Sequence, residues 1–246
     1  MSAKRKLGGV HGTVLLVGSM ISMGERGKAD WHNASAIREV ASSFGAIVGL
    51  AGIEHGCFEV LQGSVATDGI IINAIGPAQT MWEGASERAL TIIPNFLVTG
   101  LLAIIFGILV TVWAVAFVHR RHGAPVLFLL AIILFLVGGG LAPIILTVVA
   151  TATATRIDKP LTWWHAHLPH SIGSALARLW PWSLFAFVLV FWGTVGVQIF
   201  GSPFGADITR ELVTVLSIIM VSLIPLTVVV GLAFDVLKQD VSHRVS

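Results

Sequence analysis

Tyrosine is missing from this 246-residue chain, and cysteine occurs once, as Cys57. Without tyrosine there is no phenolic acid–base or radical chemistry. A lone cysteine excludes an intramolecular disulfide framework, an iron–sulfur cluster held by this chain alone and a C-x-x-C-H haem attachment site. Charge is scarce as well: Asp, Glu, Lys and Arg make up 11% of the residues, and the formal net charge is only +2. The basic residues are dispersed, which argues against nucleic acid as a partner. No Walker A or G-x-G-x-x-G run is present, so nucleotide-driven transport by this chain alone has no support. Neither G-x-S-x-G nor S-x-x-K offers a nucleophile, and H-E-x-x-H and Cys/His ligand pairs are missing.

Long uncharged stretches take up the space those motifs leave. Four runs, 89–118, 124–150, 183–200 and 212–234, contain no Asp, Glu, Lys or Arg. A helix of about 18 residues or more crosses a hydrocarbon core of about 30 Å, so each run reads as a membrane span. With hydrophobic residues at 55% and a mean hydropathy of +0.89, no room is left for a separate soluble domain. A fifth span, 40–61, carries charge within it: Glu54, His55 and Glu59. The expected fold is an all-α integral membrane bundle of about five transmembrane helices, with short interfacial helices in the outer segments. Residues 1–35 form a basic polar N-terminal segment, and 36–246 a single membrane domain. With no tyrosine, tryptophan must supply the interfacial aromatic belt. Trp31, Trp82, Trp113, Trp163, Trp164, Trp180 and Trp182 all fall near a span end or in a flank.

Orientation follows from lysine and arginine. Lys4, Arg5, Lys6, Arg26, Lys28 and Arg38 precede the first span, and Arg120 and Arg121 join the second to the third. Placing both groups inside puts the N-terminus inside and the C-terminus outside. Nine Lys/Arg then lie inside, counting Arg210, against six outside, with Lys238 and Arg244 on the outer tail. Such a chain suits a bacterial cytoplasmic membrane. Lys4–Lys6 followed by Val10–Met23 has the outline of a signal peptide. The stretch is short, is broken by His11, Gly12 and Gly18, and lacks an A-x-A-like site, so it reads as uncleaved.

Two segments fall outside in this scheme. In 62–88, Thr80–Glu83 offers a capping box for a short helix. In 155–182, Ile172, Leu176 and Leu179 recur at helical spacing, as in an amphipathic helix lying in the interface and running into the fourth span past Pro181. Breakers interrupt three spans: Pro94-Asn95, Gly138-Gly139-Gly140 with Pro143, and Pro225. Kinking accounts for them. An unwound, cavity-lining segment is the alternative.

The first span holds the most ordered pattern. Gly45, Gly49, Gly52 and Gly56 form a stripe of small residues on which another helix can pack closely, from this chain, a second copy or another membrane protein. His55 and Glu59, four residues apart, share one helix face and point into that contact. An ionisable group at a span centre costs about 2.5–3.5 kcal/mol, so the pair marks a buried polar site, with Glu54 about 100° round and Asn95 a candidate partner. Arg88 or Arg156 could pair with Glu59 instead. The second cluster is His165, His167 and His170. Imidazole binds transition metals, and these three, with His55 and Glu59, could share an outer-leaflet metal site. Pro169 and the uneven spacing argue for solvated or headgroup-facing histidines instead.

Three functions remain open. One is a non-enzymatic component that passes a small solute, ion or proton, or serves as an accessory subunit. Another is an integral-membrane metal-binding protein or metalloenzyme, and the third a structural helix-docking subunit. The lipid bilayer is the partner common to all three.

Overall fold

The computed structural model describes residues 35–75, 87–141, 143–202 and 204–245. The basic segment 1–34 with its Val10–Met23 stretch, Trp31, Trp82 and the capping box at Thr80–Glu83 all lie outside those residues. The fold is mostly helical, and among the described residues four helices are long and apolar enough to cross a membrane.

Helix α1 (Ala36–Leu61) begins where the Ser35 side chain accepts a hydrogen bond from the Arg38 N–H. A hairpin of β1 (Ile71–Ile75) and β2 (Glu87–Leu90) follows, paired antiparallel with Ile72 opposite Ala89 and Asn73 opposite Arg88. Helix α2 (Phe96–Ala116) starts on Asn95, whose side chain accepts from the Val98 N–H. Then come α3 (Gly123–Leu136), α4 (Pro143–Ala154), the short α5 (Thr162–His167), α6 (His170–Phe200) and α7 (Ala206–Val245). The helical stretch holding Ile172, Leu176 and Leu179 continues past Pro181 into the apolar run as the single helix α6. Likewise α7 runs through Pro225.

The largest departure from expectation is at 124–150, which is two helices rather than one span. Gly138 (φ +102°) and Gly140 (φ +89°) take backbone conformations that L side chains rarely adopt, and they end α3. Pro143, whose missing N–H costs nothing at a first helical position, opens α4. At 1.5 Å per residue α3 is about 21 Å long and α4 about 18 Å, each short of a hydrocarbon core.

The two helices run in opposite directions. α3 lies along α1: Leu127 meets Gly45, Leu134 meets Gly52, and Gly140 meets His55. After α4, the Leu161 N–H bonds to Gln239 near the end of α7 (3.3 Å). That end of α7 also holds Asp235 against the start of α1. Residues 155–161 reach about 25 Å at most. They span that distance only if α4 returns toward the end of the bundle from which α3 set out. Val48, Ala131 and Thr147 line one cleft between α1 and the two legs, as a hairpin requires.

The bundle therefore has a first end, with the start of α1, the α2–α3 turn, segment 155–169 and the end of α7. Its second end carries the β-hairpin and the α6–α7 connection. α6 runs alongside α1, with Phe187 against Phe44 (ring centroids 4.7 Å), and α7 returns, with Gly231 against Val40 and Ala36. The start of α1 and the end of α7 share one end of the bundle.

Candidate functional site

The site forms where α1, β2 and the glycine turn meet, toward the second end. α1 presents His55 and Glu59 one turn apart on its buried face, 3% and 0% exposed. Gly56, one turn from Gly52 on the same stripe, meets the Gly100 carbonyl and Ile104 of α2, and Gly49 meets Gly107 and Thr111. Gly100 and Gly107, seven residues apart on α2, are thus the counterpart of the α1 stripe. The stripe is filled by the chain's own α2 and α3, so Gly45, Gly49, Gly52 and Gly56 present no surface to a second molecule.

Opposite His55 and Glu59 lies the unwound turn. A Cβ on Gly140 would sit 2.7 Å from His55 Nε2, and one on Gly138 would collide with the Glu59 carboxylate. Only glycine lets the backbone come this close. Part of the turn's backbone pairs with β2 and the residues after it. Gly138 N–H donates to Leu90 O (2.9 Å), Leu141 N–H to Arg88 O (3.3 Å) and Ile92 N–H to Leu136 O (3.0 Å). Thr91 pairs with Val137 in an isolated antiparallel bridge. The Thr99 hydroxyl donates to Val137 O (2.8 Å) and lies 2.6 Å from the Thr91 hydroxyl. Non-helical backbone at such depth is tolerated where protein buries it or where it lines a cavity.

β2 also contributes a carboxylate that the sequence had not singled out. Glu87 Oε2 lies 2.7 Å from His55 Nε2, and its other oxygen accepts from the Gln198 amide of α6. Glu87 is 21% exposed against 4% for the His55 side chain, so the pair runs from the second end into the interior. Glu54 is half-buried and within electrostatic reach of both Glu87 and His55. By contrast, Nδ1 of His55 and both oxygens of Glu59 are buried and make no hydrogen bond among the described residues.

The other proposed members lie elsewhere. Asn95 caps α2 and donates to Ser64 Oγ (3.2 Å) instead of reaching Glu59. Arg88 is exposed, and Arg156 is at the first end, so neither pairs with Glu59. His165, His167 and His170 also lie at the first end. His165 sits 3.0 Å from Asp240 and 3.2 Å from Gln239, and His167 stacks on Trp163. The bundle's length separates them from His55 and Glu59, so the five do not form one site. Among the described residues no three His, Cys, Asp or Glu side chains gather to hold a metal ion.

No family model, curated protein or solved structure matches the chain.

Proposed function

We propose that this chain is a multi-pass protein of a cell membrane that passes protons or a small cation, with the His55–Glu59 face as the working site. One observation carries the reading: a buried, unpartnered carboxylate faces the unwound glycine turn of a helical hairpin. An unpaired buried carboxylate is expensive, so the site calls for a proton or a cation. Unwound segments beside such groups are how membrane proteins bind and release ions. α1, α2, α6 and α7 would cross the bilayer, while the α3–α4 hairpin enters and leaves from the first end.

Basic residues support placing the first end in the cytoplasm. Arg38, Arg120, Arg121, Arg156, Lys159, Lys238 and Arg244 lie at that end, with Arg178 two turns into α6, whereas Arg88 and Arg210 lie at the other. Lys238 and Arg244, awkward on an outer tail, join the majority. Glu87 then faces outward.

Reconstitution into liposomes with a pH-sensitive dye inside tests this. Under an imposed pH or cation gradient, Glu59→Gln should cut flux by about tenfold or more, about 1.4 kcal/mol or more of added barrier. Wild-type flux in that variant would overturn the assignment of the site.

A further inference from the structure

Resting on the permeation reading, the geometry of three side chains narrows it to one species. Glu87, His55 and Glu59 form a graded series: the first is partly exposed, the second almost buried and the third fully so. The two ring nitrogens of His55 have different surroundings. Nε2 meets Glu87 Oε2 at 2.7 Å, while Nδ1 is buried without a partner. One turn further along the same face stand the two unpartnered oxygens of Glu59. Imidazole is the side chain that can accept a proton at one nitrogen and release another from the opposite one.

We propose that Glu87, His55 and Glu59 are a proton relay, with Glu87 collecting protons at the second end. In the forward step Glu87 holds the proton, and His55 is neutral with its hydrogen on Nδ1. The Glu87 proton crosses the 2.7 Å contact to Nε2, and the Nδ1 proton passes to Glu59. Cβ atoms one turn apart are about 5–6 Å from each other, a gap that side-chain rotation or one bridging water spans. Glu87 is again a carboxylate, His55 is neutral in its other tautomer, and Glu59 is a neutral acid. One proton has entered and one has arrived, and exchange of the ring hydrogen from Nε2 back to Nδ1 through water resets the imidazole. No heavy-atom bond forms or breaks.

Few other groups compete. α2, α3 and α4 contain no ionisable side chain. α6 brings the neutral Gln198, β2 adds only the exposed Arg88, and α1 itself adds Glu54. Gly138 packs on the Glu59 carboxylate and Gly140 on the His55 ring, so a proton on Glu59 leaves only when the hairpin turn shifts. The relay thus assigns a role to Glu87 and makes the hairpin the gated side.

Proteoliposomes carrying wild type, His55→Gln, Glu87→Gln and Glu87→Asp would be assayed for proton, Na⁺ and K⁺ flux. Infrared spectra would follow the carbonyl band of a protonated carboxylic acid, and each variant would be checked for a monodisperse, cooperatively melting state. The relay predicts proton flux lowered about a hundredfold in His55→Gln and Glu87→Gln, the range of lost acid–base groups. It predicts partial recovery in Glu87→Asp. In wild type an acid jump raises an infrared band that Glu59→Gln removes, and the band rises more slowly in His55→Gln. Folded His55→Gln and Glu87→Gln proteins with wild-type ion flux would overturn the relay and leave the permeation reading standing. Wild-type liposomes impermeable to protons and cations alike would overturn both.

Discussion

Single residues far apart in sequence set the ends of this bundle. Asp235 of α7 accepts hydrogen bonds from the Ser35 hydroxyl (2.7 Å) and from the N–H groups of Ala36 (2.8 Å) and Ile37 (3.1 Å). It supplies to α1 the acceptors and negative charge that a helix N-terminus needs. Near it, in the α2–α3 turn, His119 is held below its ordinary value by burial, then by Arg38 and Arg120, with Asp158 opposing. The unfolded chain therefore binds a proton there that the folded chain does not, so stability rises with pH through this window. Stability should fall as the pH drops below about 6.5, with the loss complete below the folded-state value. His119→Gln should flatten this acid limb in melting temperatures measured in detergent, and an unchanged pH profile would contradict the assignment. His55 and Glu59 were legible in the sequence because a spacing of four beside a stripe of glycines on a mostly apolar helix announces a shared buried face. Glu87 was not, because a carboxylate in a polar connection looks like any solvated one until the hairpin folds it back over α1.

At the level of elements, the glycine stripe of α1 was readable as a packing surface, but its partner was not. Gly100 and Gly107 sit in an α2 so uniformly apolar that no face stands out. The α1–α2 contact brings backbone against backbone, and a Cβ on Gly49 would meet the Gly107 carbonyl, the Thr111 hydroxyl and the Thr111 backbone. Gly49→Ala should cost about 1–3 kcal/mol through overpacking. Gly193→Ala, at a helix position where an added Cβ meets nothing, should cost none and if anything gain from higher helix propensity. Thermal unfolding of the two variants in detergent checks this, and equal melting temperatures would contradict the close packing. Strand pairing was also missed. The two-stranded hairpin is short, and only Ile72, Ala74 and Ala89, with Phe96 against them, form its small core, too little pattern to separate it from a loop.

Across the whole molecule, hydropathy identified which stretches are apolar but not which way they run. The run at 124–150 is long enough to cross, and nothing in its composition distinguishes a span from two antiparallel legs. Three adjacent glycines with a nearby proline signal a break, and the sequence alone does not separate a kink from a reversal. What decides the matter is long-range: the Gln239 contact with Leu161, Asp235 at the start of α1, and the backbone bonds from the glycine turn to β2. The turned-back hairpin is what brings Gly138 and Gly140 onto His55 and Glu59, so site and topology stand together.

Cysteine accessibility tests that arrangement most directly. Cys57 is the chain's one cysteine and is exposed, so a Cys57→Ser background accepts single cysteines at Arg121 and Lys159, which flank the hairpin. Labelling with a membrane-impermeant maleimide in sealed vesicles of known orientation should find both positions on the same face. Labelling from opposite faces would mean that 124–150 crosses the membrane as a single span, and the glycine turn could not then close over Glu59.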